Sequence, residues 1–95
     1  MSSNAPQVEF KFPAVLKMVV ETGGVRVRGR TLPEALEAAY DAVPQLRYHL
    51  TLESGDLRPH ILCIVNGESV LRDEVATTTL ADGDEILIHQ AISGG

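Results

Sequence analysis

The sequence predicts a two-layer α+β domain, a mixed sheet with one main helix packed across it. Three observations carry this. Two alternating segments near the start, Val8–Phe12 and Val25–Arg28, flank a Thr22-Gly23-Gly24 turn signal. One stretch of helically spaced apolar residues follows a capping signal at Thr31-Leu32-Pro33-Glu34. Two further strand-like runs, Ile61–Val65 and Glu85–His89, fall in the last third of the chain. A length of 95 residues suits one domain, and 44% apolar residues suit one modest core, built without Trp on aliphatic side chains, two Phe and two Tyr.

In chain order, residues 1–7 read as a disordered lead-in. Val8-Glu9-Phe10-Lys11-Phe12 alternates as a half-buried strand should, and Pro13, which lacks a backbone donor, ends it. Ala14 to Val20 reads as a short apolar connection, and Val25-Arg26-Val27-Arg28 as the second strand of a hairpin. The Thr31 hydroxyl is placed to accept from the Glu34 N–H, with the Glu34 side chain reaching back and Pro33 in the first turn, where a missing N–H costs nothing. Leu32, Leu36, Ala39, Tyr40 and Val43 then form one stripe, and Pro44 stops the helix. Gln45 to Pro59 is mixed, with a loop tip at Ser54-Gly55-Asp56.

Ile61-Leu62-Cys63-Ile64-Val65 is continuously apolar and rich in β-branched residues, which predicts a strand covered on both faces. Asn66-Gly67 is a hairpin turn signal. Val70 to Thr79 reads as a short strand followed by a loop, and Asp82-Gly83-Asp84 turns the chain into the last strand. The order strand, strand, helix, strand, short elements, strand predicts a β-grasp over residues 8–90, its last strand central and projecting a slender tail, 91–95, from one edge of the sheet.

Composition narrows the function. A net charge of -5 argues against nucleic acid, whose binding needs a basic face to release counterions. No apolar stretch approaches the roughly 20 residues that span a bilayer. The polar start, MSSNAPQ, lacks the apolar core of a secretion signal, so a cytoplasmic protein is expected. His49, His60 and His89 are scattered, and none pairs with another at metal-ligand spacing. Cys63 lies mid-strand in an apolar run and reads as a small core residue, not a reactive thiolate. No phosphate-binding glycine motif is present, and nothing assembles a nucleophile with its base, so the chain reads as no enzyme, with no metal and no bound cofactor.

The ending Ala91-Ile92-Ser93-Gly94-Gly95 admits three readings. It is a frayed terminus, a cloning scar, or an arm whose last carboxylate is the working group. Two residues without Cβ let the backbone lie in a slot too narrow for side chains. A carboxylate becomes a useful electrophile once ATP-dependent adenylation gives it a leaving group. A sulfur donor that displaces AMP would leave a thiocarboxylate, a good nucleophile at neutral pH.

Leu80-Ala81-Asp82-Gly83-Asp84-Glu85-Ile86, followed within about ten residues by Gly94-Gly95, together with Val65-Asn66-Gly67-Glu68, resembles the MoaD/ThiS family of ubiquitin-like sulfur carrier proteins. The likeness runs from Val8 to the end and is greatest to the stand-alone carriers of the CysO type. It implies that an E1-like enzyme, using ATP that need not bind this chain, adenylates and sulfurates Gly95, with Gly94, Ser93 and Ile92 as the inserted tail. It further implies a sulfur-accepting, cysteine-synthase-like partner and a JAMM-type metalloprotease that releases the product. Molybdopterin-synthase small subunits typically carry aromatic pairs where this chain has Phe12-Pro13 and His89-Gln90. That role, and a ubiquitin-like modifier that forms isopeptide bonds, are the alternatives. With Ile86 and Ile88 inward, Leu87 and His89 face outward. Leu87 is then either an anchor for the activating enzyme or is covered by its neighbours. Asp82, Asp84 and Glu85 either steer a basic cleft or form a solvated turn.

Overall fold

The computed structural model describes residues 4–90. The elements are β1 (Gln7–Lys11), α1 (Ala14–Val20), β2 (Gly24–Arg28), α2 (Leu32–Ala42), α3 (Gln45–Leu50), β3 (Ile61–Val65), β4 (Glu68–Val70), the 3-10 helix η1 (Arg72–Thr77) and β5 (Glu85–Gln90). The sheet order is β2-β1-β5-β3-β4, with β5 central as the sequence predicts. It runs parallel to β1, with Phe10 opposite Ile86, and antiparallel to β3, with Cys63 opposite Ile88. The fold is a β-grasp.

Pairing and pleat divide the side chains into two faces. Val8, Phe10, Ile86, Ile88, Ile61 and Cys63 point to the helical layer and are buried. There they meet Leu32, Ala35, Leu36, Ala39 and Tyr40 from α2, Leu16 and Val20 from α1, and Leu46 and Leu50 from α3. The α2 start is built as read: Thr31 Oγ1 accepts from the Glu34 N–H at 3.3 Å, while Glu34 Oε1 accepts from the Arg30 N–H at 3.0 Å.

Five expectations are corrected. Ala14–Val20 is a helix and not merely a short apolar connection. Leu16 and Val20, one turn apart, bury on the core, and Glu21 ends the helix in a left-handed conformation, φ 61°. Gln45–Leu50 is a helix too. Pro44 closes α2 but occupies the N-cap position of α3, where a missing N–H is harmless. The segment after β4 is a 3-10 helix, in which the Glu74 side chain accepts from the Leu71 N–H at 3.2 Å. β3 is covered on one face only. The helices occupy one side of the sheet, so Leu62 and Ile64 stay half-buried on the other. The described part of the expected lead-in, residues 4–7, is ordered into the fold. Gln7 begins β1, Ala5 is buried and accepts from Arg28 Nη1 at 2.9 Å, and the Pro6 carbonyl accepts from the Gly29 N–H at 3.0 Å.

Candidate functional site

Two ends of the sheet can be distinguished by following β5. It starts beside the Asn66-Gly67 turn and the Asp82–Asp84 turn, and finishes at Gln90, opposite Ile61. The first is called the turn end and the second the tail end.

At the turn end the two stretches most specific to the sequence resemblance meet. Asn66 and Gly67 both adopt positive φ, 50° and 88°, the geometry of a two-residue hairpin that glycine and Asn tolerate best. Gly83 does the same at 89°. Asp84 Oδ1 accepts from Asn66 Nδ2 at 2.8 Å, and Asp84 Oδ2 from the Ala81 N–H at 2.8 Å. Asn66 Oδ1 accepts from the Glu85 N–H at 3.0 Å, and Asp82 Oδ1 from the Gln7 N–H at 2.9 Å. The acidic turn therefore spends its carboxylates on the start of β1, on the β3–β4 hairpin and on its own backbone, while the Asn66 side chain holds the start of β5. These bonds fix the origin of the strand that leads to the tail.

On the open face of the sheet, Leu87 is 38% exposed, so its neighbours cover it only in part. It is paired with Ile64, while His89, exposed, is paired with Leu62. Leu62, Ile64 and Leu87 thus form an apolar island, bordered by the Lys11–Glu85 ion pair at 3.3 Å. Leu62 and Ile64 escaped sequence reasoning because a run of five apolar residues gives no sign of which face lacks a covering layer. The predicted tail residues Ile92, Ser93, Gly94 and Gly95 lie outside the described residues.

The tail end also carries α1 and α3. The strand pair β1–β5 is parallel, so Pro13 and α1 emerge at the same end as Gln90. α3 packs on α1 and α2, and the Arg47 guanidinium lies 4.8 Å above the Tyr40 ring while bonding Glu37 at 2.9 Å. The segments gathered at this end, residues 11–24, 41–60 and 87–90, balance four cations (Lys11, Lys17, Arg47, Arg58) against four anions (Glu21, Asp41, Glu53, Asp56). The whole formal charge of -5 therefore belongs to the remainder of the chain.

No catalytic constellation appears among the described residues. An open groove of about 850 Å³ runs between α2, the start of β3 and η1, but its floor is Leu36, Tyr40, Ile61 and Cys63. Burial pushes the Cys63 thiol up to about 11, so it stays protonated at neutral pH and is no nucleophile. Burial likewise holds the Tyr40 hydroxyl at about 12. Among the described residues no three His, Cys, Asp or Glu side chains gather as a metal set, and no helix is long and apolar enough to cross a membrane.

Comparison with known proteins agrees with this architecture. The ThiS family pattern matches residues 11–95. Small archaeal modifier protein 3 of Haloferax volcanii is 31% identical over 61 residues, 64% of this chain; the match spans only 62% of that relative's length. The crystal structure of SAMP1 from Haloferax volcanii superposes with a TM-score of 0.81 at 32% identity, covering 94% of this chain and 99% of that one. CysO of Mycobacterium tuberculosis superposes with a TM-score of 0.76 at 25% identity, covering 90% of this chain and 99% of that one.

Proposed function

From the chain's membership of the ThiS family, a group of ubiquitin-like small modifiers and sulfur carriers, we propose that it is a sulfur carrier working through Gly95. The carboxylate of Gly95 attacks the α-phosphorus of ATP held by an E1-like enzyme, forming the acyl-adenylate and releasing pyrophosphate. Sulfide delivered by a donor then adds to the acyl carbon and AMP leaves, so that a thiocarboxylate remains. The thiocarboxylate passes its sulfur to an acceptor in a synthase, with cysteine or another sulfur metabolite as product and a JAMM-type protease releasing it. ATP is consumed on the activating enzyme and need not touch this chain. The reading sets the exchange in the cytoplasm, where ATP is supplied.

The observation that supports the reading most is the coupling of a Gly-Gly ending to a strand anchored at its origin. Gly95 lies five residues past Gln90, the last residue of central β5, and β5 is held at its start by Asp84 and Asn66. Ile92, Ser93 and Gly94 supply reach and clearance for Gly95. The island of Leu62, Ile64 and Leu87, with His89 beside it, offers partners an apolar contact on the open face.

The names of two relatives, both small archaeal modifier proteins, favour a second reading in which the same acyl-adenylate ends on a lysine as an isopeptide. Appending Ala after Gly95 separates chemistry from fold in both readings. The extended protein is expected to melt as the unextended one does and to form no thiocarboxylate, whereas retained sulfur loading would contradict the assignment. Recovery of Gly95 linked to lysine peptides in place of thiocarboxylate would select the modifier.

A further inference from the structure

We infer that the exposed face of α1, formed by Val15, Met18 and Val19, is the surface on which the enzyme that activates the tail docks. The inference rests on the reading of Gly95 above and adds where that enzyme binds.

α1 is apolar on two faces. Leu16 and Val20 are already spent on the core, at 1% and 6% exposure. Val15 and Met18 stand 67% and 78% in solvent, and Val19 42%. They follow the i, i+3, i+4 spacing that puts three side chains on one stripe. Lys17 is the helix's single charge. α3, against which α1 packs, exposes a further large side chain, Tyr48, at 79%. A helix that needed only to cap the core would gain nothing from this second stripe.

Its place in the fold says what covers it. Gly95 lies five residues beyond Gln90, a reach of at most about 17 Å when fully extended. α1 is about 10 Å long and starts three residues after Lys11, which pairs with Leu87 on the tail-bearing strand. An enzyme whose slot receives Gly95 must therefore cover this end of the sheet, and α1 lies within the covered area. Charge points the same way. The activating enzyme presents ATP, a polyanion, to a carboxylate. The tail end is formally neutral and the charge of -5 is carried elsewhere, so the approach is not opposed by the body of the domain. With little net charge to attract, affinity at this end falls to apolar contact.

The test is ATP–pyrophosphate exchange by the E1-like enzyme of the source organism, with this protein as the varied substrate. The Val15→Ser/Met18→Ser double variant is expected to raise KM about tenfold or more at unchanged kcat, with no added dependence on salt. Met18→Leu should behave as the parent does. Leu71→Ser, at a residue 60% exposed on another part of the surface, should leave KM unchanged. Circular dichroism melts confirm that each variant is folded. If the parent drives no exchange, the reading of Gly95 fails and the inference falls with it. If the parent is active and the double variant matches it, the docking site is overturned while the carrier reading stands. Exchange unchanged with loss of a concentration-dependent dimer would assign the stripe to a second copy of this chain, and would equally overturn the proposal.

Discussion

At the turn end, Asp82, Asp84 and Asn66 tie the starts of β1 and β5 to the β3–β4 hairpin through short side-chain hydrogen bonds. At the tail end, Val15, Met18 and Tyr48 stand largely in solvent. One end commits its polar groups to holding the chain still; the other leaves apolar groups uncommitted. The proposed carrier function, with its chemistry on a short terminal arm, calls for both. The arm's origin must be fixed so that the tip is delivered at a defined place, and the surface around it must be open to a partner. The acidic residues of the Asp82–Glu85 turn, which in sequence suggest steering of a basic cleft, belong mainly to the first task.

This division can be broken by treating the two ends separately. The largest effect is expected from deleting Gly94 and Gly95. Sulfur loading should vanish while the melting temperature stays the same; a clear drop in stability would mean that the tail is part of the core structure. The reciprocal change is Asp84→Ala, which removes two accepted hydrogen bonds at the turn end. It should cost about 2–3 kcal/mol of stability by urea unfolding, while loading below the melting transition is retained. Loss of loading in a still-folded Asp84→Ala protein would show that the turn acts directly on a partner.

The core between the two ends sets a smaller, pH-dependent effect. In the unfolded chain the Cys63 thiol ionises near 9.0, in the folded protein near about 11. Between these values the unfolded state has released a proton that the folded state keeps, so stability falls as pH rises and is unaffected by this group below the window. Tyr40, raised from 10.0 to about 12, prolongs the fall. Calorimetry from pH 8 to 11 should show a loss of about 3–4 kcal/mol, roughly 2 of it from Cys63, and Cys63→Ala should flatten its first part. A flat profile in the parent would mean that the thiol is more solvated than its burial indicates. At neutral pH the same substitution should cost only about 1 kcal/mol and leave sulfur loading intact. A folded but unloadable Cys63→Ala protein would give the thiol a chemical role.

The legible parts of the fold follow the same division. Val8–Phe12 alternates, Thr31–Glu34 caps, and Asn66-Gly67 and Asp82-Gly83-Asp84 demand turns, so the sheet, α2 and the turn end could be read from local chemistry. α1 could not, because Ala-Val-Leu-Lys-Met-Val-Val has apolar residues on two faces and a single charge at Lys17, which hides the period that marks a helix. Its β-branched residues also argue locally against helix, and burial of Leu16 and Val20 overrides them. α3 is one and a half turns long, too short for a pattern, and Pro44 at its start reads as a stop. The open-face island was half legible. Leu87 follows from alternation in β5, but Leu62 and Ile64 needed knowledge of which face the helices occupy. Both overlooked helices lie at the tail end, and both carry exposed apolar side chains, Val15 and Met18 on α1 and Tyr48 on α3, that the domain's own packing does not use.

The most direct test of the central claim is the intact mass of the protein after incubation with the E1-like enzyme, ATP and a sulfide source. The account predicts a gain of about 16 Da, the exchange of one oxygen for sulfur, confined to the peptide that ends in Gly95. An unchanged mass, under conditions in which the same enzyme loads another carrier, would contradict it.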